Sequence, residues 1–200
     1  MNKATRNHCR GFTLVEMLMT MAMVAILAAI GVPSLRGFIV SNRLSSYAND
    51  VLAAVSLARA ESVRRGRRAV FCPVAVDAAG TPDVSACIDP GDATWPGWMV
   101  FVDVNANGAP DAGDTVVRAD VFGGGDSVVL ASESLRQAAS RVVFRPSGIA
   151  RTAAGAIQQF NLRVCEAGVT LAENARDISM VSGSRISVQR TSSENCSAPA

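Results

Sequence analysis

The hydrophobic pattern of this chain changes character twice along its 200 residues. Residues 13–32 are apolar at nearly every position, and Glu16 is the one ionisable side chain among them. A run of that length without a period matches a helix able to cross the ~30 Å hydrocarbon core of a bilayer. From residue 34 to 65 the pattern turns amphipathic. Leu44, Tyr47, Ala48, Val51, Leu52, Val55, Leu57 and Ala58 recur at three-to-four spacing, as one apolar helix face requires. Arg64 and Arg65 suit the negative end of the helix dipole, and Gly66 suits the stop. Pro33 and Gly37 predict a loosened segment within the helix. After residue 68 the runs become short and β-rich, at 68–76, 97–104, 114–122, 127–131, 141–146, 157–165 and 178–189, with turn residues between them. The expected class is α+β: a long N-terminal α-helix, membrane-spanning in its first half, whose second half packs on an antiparallel β-sheet. Trp95 and Trp98 are expected to cover the sheet edge, beside a Pro/Gly/Asp-rich loop between the first two strands.

Charge adds little until its position is considered. The formal balance is +2, but Lys3, Arg6 and Arg10 all precede the apolar run. Without residues 1–11 the chain is close to neutral, and no bulk basic field remains to gather polyanions. His8, the single histidine, also lies in that leader. The remainder therefore lacks the usual general base and the commonest zinc ligand, which argues against hydrolase chemistry and against an enzyme. Of five cysteines, Cys9 is in the leader, and Cys72, Cys87, Cys165 and Cys196 are left. In an exported domain four cysteines read as two disulfides, with three connectivities open. Cys72–Cys87 and Cys165–Cys196 are favoured because each closes a local loop. The rival, a four-thiolate zinc site, lacks the usual C-x-x-C pairs.

A carboxylate in hydrocarbon costs on the order of 2.5–3.5 kcal/mol, so Glu16 calls for a partner. The basic leader MNKATRNHCR ends at Gly11, with no small-residue cleavage site after the apolar run; this is not the order of a secretory signal peptide. A positive leader stays cytoplasmic, so the C-terminal part would be exported. Gly11-Phe12-Thr13-Leu14-Val15-Glu16 resembles the processing site of type IV prepilins and type II secretion pseudopilins. The resemblance implies cleavage by prepilin peptidase after Gly11, N-methylation of Phe12, and a role for Glu16 in assembly, where it neutralises the N-terminal amine of a neighbouring subunit. Pairing with an opposite charge is what makes a buried carboxylate tolerable. The stretch ARAESVRRGRR, 58–68, resembles the helix end of the FimT/FimU/GspH branch of that family.

Two further motifs carry chemistry. DVNANGAPDAGD, 103–114, fits the calcium-loop template with Asp103, Asn105, Asn107, Asp111 and Asp114 as candidate ligands and Gly108 at the sharp turn. Its flanks read as strands, and Asn-Gly and Pro-Asp are also ordinary hairpin chemistry. Calcium is thus a candidate cofactor beside the expectation of none. RDISMVSGSRISVQR, 176–190, resembles the last strand of FimT/FimU-like domains, where DNA-binding members carry a G-R-x-R-like motif. Here Ser184 and Ser187 replace the glycine and the second arginine. Arg185 and Arg190 are the candidate DNA-binding residues, with Arg163 and Arg176 as helpers, and one or two arginines give only modest, salt-sensitive affinity.

The expected organisation is a leader at 1–11, a pilin helix at 12–66 with residues 13–32 in the membrane, and a sheet domain at 67–200. The resemblance implies a minor pilin that helps initiate or tip a type IV pilus. Its partners would be other minor and major pilins, prepilin peptidase and the inner membrane, with the C-terminal domain in the periplasm. Two alternatives stay open: a minor pilin that binds DNA for natural transformation, and a minor pseudopilin of type II secretion.

Overall fold

The computed structural model describes residues 12–123, 126–169 and 171–199. The expected cleavage after Gly11, with Cys9 and His8, lies outside them. The described residues fall into two compact units, one ending at Ile39 and one beginning at Val40. A single helix, α1 (Leu14–Arg65), contributes to both. The loosened segment expected at Pro33 and Gly37 does not interrupt it, and the helix is assigned without a break. It ends where expected, at Gly66 with φ +62, the left-handed conformation that glycine adopts at least cost.

In the second unit the strands are β1 (Arg68–Val74), β2 (Gly97–Asp103), β3 (Thr115–Val121), β4 (Ser127–Ala131), β5 (Val142–Phe144), β6 (Phe160–Glu166), β7 (Ala175–Val181) and β8 (Arg185–Thr191). A one-turn helix, α2 (Glu133–Arg136), precedes β5. The strands divide between two four-stranded antiparallel sheets, β3-β2-β1-β5 and β4-β6-β7-β8. The last β-rich run, read as one segment, is a hairpin. Val181 pairs with Arg185 across Ser182-Gly183-Ser184. A Cβ at Gly183 would meet the Ala150 carbonyl oxygen at 2.8 Å, so the turn has no room for a side chain.

One core holds the second unit together. Val40, Leu44, Ala48, Val51, Ala54, Val55 and Ala58 of α1 are buried against Phe71 and Val100 of the first sheet and Val129, Leu162 and Ile178 of the second. Three-to-four spacing on the helix meets period-two spacing on the strands, so each element offers one face. Trp95 and Trp98 do not cover an edge. Both are 1% exposed, pack within 6.0 Å of the Phe71 ring, and belong to this core. The other face of the first sheet forms a smaller cluster from Val70, Cys72, Val74, Met99 and Phe101. Cys87 packs against it and is disulfide-bonded to Cys72. The loop after β1 is thereby held over apolar surface that would otherwise face water. Cys165, at the end of β6, is bonded to Cys196, which ties the C-terminal tail to the second sheet.

Candidate functional site

The N-terminal unit presents a run of exposed apolar side chains. Phe12, Leu14, Val15, Leu18, Met21, Val24, Leu27 and Ile30 are all exposed, around the whole circumference of the helix. The segment has the length and composition to cross a membrane. Thr13 caps the helix: its Oγ1 accepts a hydrogen bond from the Glu16 amide at 3.2 Å, and its carbonyl takes the Met17 amide at 3.1 Å. This capping fixes Glu16 in the first turn, where a carboxylate is favoured by the helix dipole. Among the described residues the Glu16 carboxylate has no hydrogen-bond or ion-pair partner. Phe12, the first residue described, is 78% exposed.

At the far end of α1, Glu61 is buried and takes three guanidinium hydrogen bonds. Arg64 donates from Nε at 3.1 Å and Nη2 at 2.7 Å, and Arg65 donates from Nε at 2.7 Å. The Arg64 hydrogen bond, followed by that of Arg65, holds the Glu61 carboxyl below its usual range. The arginine-rich segment 58–68 is thus partly committed to closing the helix end.

The arginines proposed for nucleic acid are dispersed. Arg163 is paired with its cross-strand neighbour Asp177 through two bonds of 2.6 and 2.7 Å, which raises its pKa further. Arg176 is buried. It donates to Ser41 Oγ at 3.0 Å and to the carbonyls of Glu173 and Ala175 at 3.0 and 2.9 Å. Desolvation, then the nearby Arg190, lowers its pKa from the usual arginine value. Both helpers therefore serve as internal struts rather than as phosphate contacts. Arg185 and Arg190 are exposed on β8. They are five positions apart, and side chains alternate along a strand, so they lie on opposite faces of the sheet. Arg190 also lies 3.7 Å from the Glu173 carboxylate.

The candidate calcium loop is hydrogen-bonded to itself. Asp103 accepts from the Gly108 amide at 3.0 Å, Asn105 from Asn107 at 3.0 Å, and Asn107 from Ala109 at 2.7 Å. Asp111 accepts from the Gly113 amide at 2.9 Å and from Asn107 Nδ2 at 2.9 Å; these bonds, with one from Asn105, hold its carboxyl below the usual range. Asp114 accepts from the Val104 and Asp111 amides at 2.9 and 3.2 Å. Among the described residues no three acidic, thiol or imidazole side chains converge as a metal centre would need. The loop carries Asx-turn chemistry between two strands, with its candidate oxygens engaged by the loop's own N–H groups.

The helix with its lone carboxylate and the helix-on-sheet domain define a pilin-like class of protein. Residues 47–192 match the family model described as type II transport protein GspH, and residues 6–32 match the prokaryotic N-terminal methylation motif. The chain belongs to the GspH family. No curated protein matches it. Among solved structures it is similar in fold to a crystal structure of the type IV minor pilin FimU of Pseudomonas aeruginosa strain PAO1. The TM-score is 0.52 at 19% identity, with 81% of this chain and 99% of that chain covered. A second crystal form of FimU gives 0.48 at 18% identity, covering 78% and 100%.

Proposed function

We propose that this chain is a minor type IV pilin that takes part in initiating or tipping a pilus. Prepilin peptidase would cut after Gly11 and leave an N-methylated Phe12. The observation that carries this reading is Glu16, in the first turn of α1 and the one ionisable side chain among residues 13–32. A new amine at Phe12 is the complementary charge, and on a neighbouring subunit it would neutralise Glu16 as the helices pack side by side. The unit before assembly sits in the inner membrane, with the basic leader cytoplasmic and the sheet domain periplasmic. The protein is structural, and its partners are other minor and major pilins.

The test is Glu16→Ala in a piliated host carrying the full chain. Expected is recovery in the membrane fraction above the wild-type level and absence from sheared filaments. Wild-type levels in filaments would refute the assembly role. A second reading has an observation in its favour, the family's description as a type II transport protein. On that reading the chain builds the pseudopilus of protein secretion. Deleting the gene separates the two, because loss of surface pili supports the first and loss of secreted enzymes with intact pili supports the second.

A further inference from the structure

The first sheet carries an arginine-lined cavity of about 730 Å³ on the side away from the helix. Arg68 enters from the start of β1, Arg141 from just before β5, and Arg145 and Arg151 from the turn that follows it. That turn is closed by the Arg145 amide on the Ile149 carbonyl at 3.1 Å and the Arg151 amide on the Val143 carbonyl at 3.0 Å. Three of the four cations donate to carbonyl oxygens, and among the described residues none of the four pairs with a carboxylate. Arg68 donates to Ala106 at 3.0 Å, Arg141 to Gly108 at 2.7 Å, and Arg151 to Gly155 at 2.7 Å. Each keeps further N–H donors unused, and Arg145 has no side-chain partner among the described residues. The Arg141 Nε and the Thr152 hydroxyl are buried without a hydrogen bond. Elsewhere some arginines of the same chain are paired with carboxylates, as at Glu61 and Asp177. Here one carboxylate, Asp103, lines the wall; one of its oxygens is taken by the Gly108 amide and the other is buried without a hydrogen bond.

Four like charges around one cavity repel unless an anion completes it, and a concave low-dielectric wall focuses their field. Guanidinium forks match carboxylates two bonds at a time. We infer that this cavity binds an acidic peptide segment through its side-chain or terminal carboxylates. No aromatic ring lines it, so bases would find no stacking platform. Its remaining wall includes Ala138, Ala139, Val143 and Ala154, apolar surface suited to peptide stems. The volume falls in the range of pockets that enclose a ligand of a few residues.

The experiment titrates the full chain in detergent micelles with a fluorescein-labelled, N-acetylated hexaglutamate peptide, read by anisotropy, and in parallel with labelled duplex DNA. Saturable peptide binding that weakens with salt is expected. Arg145→Gln and Arg68→Gln should each weaken it by about tenfold or more, as for loss of one charge-assisted contact. Arg67→Gln, adjacent in sequence but outside the cavity lining, should leave it unchanged. Equal melting temperatures of the three variants and the wild type establish that the fold is intact. No saturable peptide binding overturns the inference, as does an equal loss in Arg67→Gln. Tighter binding of DNA that is lost in the same two variants also overturns it, and would make the cavity a nucleic-acid site.

Discussion

Arg43 and Glu166 form an ion pair inside the second unit, and the two ends are unequally dry. The Glu166 side chain is 7% exposed and that of Arg43 is 27% exposed. Among the described residues Glu166 has one other side-chain donor, the Ser127 hydroxyl at 2.8 Å. Arg43→Met therefore strands a nearly sealed carboxylate with a single hydroxyl. Breaking a fully buried pair from one side costs about 3–5 kcal/mol. The site keeps some contact with water through the arginine, so about 2–3 kcal/mol is expected. Glu166→Gln is the milder cut, because the amide still accepts from Ser127 and the arginine can turn outward. About 1 kcal/mol is expected there. For a unit of this size the first value lowers Tm by about 4–12 °C and the second by about 2–4 °C. Trp95 and Trp98 are the only tryptophans and both sit in the core, so their fluorescence reports unfolding of this unit alone in full-length protein in micelles. Arg43→Met combined with Glu166→Leu should recover most of the loss, since an apolar pair replaces the charged one without leaving either charge alone. Equal losses in the two single variants, or a double variant as unstable as Arg43→Met, would refute the desolvation argument.

Two further predictions rest on single clusters. The Glu61 carboxyl is held low by Arg64 and Arg65. Its contribution to stability is therefore complete above the ordinary glutamate value and is lost as pH falls through the lower folded value. The Tm difference between wild type and Glu61→Gln should be constant near neutral pH and shrink in acid below about pH 4.5; a difference that grows in acid would contradict the assigned sign. For nucleic acid, the opposite faces of Arg185 and Arg190 predict that Arg185→Ala changes duplex affinity by less than about twofold, with no change in salt slope of the size one phosphate contact gives. A gel-shift titration at two salt concentrations in which that variant abolishes binding would restore a DNA-binding role for β8.

The helix was legible because its signals are local. An uninterrupted apolar run, then a three-to-four stripe, then Arg-Arg-Gly, are each set by residues within one or two turns. Leu44, Ala48, Val51, Val55 and Ala58 follow from that stripe. Ala54, three residues after Val51 and four before Ala58, lies on the same stripe and is buried with it, although the sequence reading did not include it. The partition of strands into two sheets was not legible, since alternation places residues on faces and says nothing about which strands pair. Trp95 and Trp98 were misplaced for a related reason. They lie in a loop and at the next strand's start, where turn residues suggest surface, yet the Phe71 face of β1 needed large apolar cover. The disulfide pairing was readable from loop length. The calcium template is not decided by spacing, because Asp and Asn also close turns with backbone amides, and a spacing rule cannot tell an oxygen aimed at a cation from one aimed at an N–H. Arg145 and Arg151 gave no signal in the chain, because the cavity joins them to Arg68 only through β1–β5 pairing.

Glu16 matters on the proposed function because the helix has two alternative surroundings. In lipid, the apolar side chains of residues 12–32 are well solvated but the carboxylate is not, at about 2.5–3.5 kcal/mol. Beside another pilin helix the apolar surface is equally covered, so it contributes little to the choice between the two. The carboxylate then decides. Paired with a neighbour's N-terminal amine it sheds most of its penalty, and an energy of that size corresponds to a bias of about 70–400-fold toward the assembled state. Glu16→Ala removes the penalty and the bias together. It should leave more protein in the membrane than wild type, not less, which distinguishes a lost driving force from a helix that no longer inserts. A variant depleted from both membrane and filament would mean that Glu16 acts before assembly, in insertion or processing.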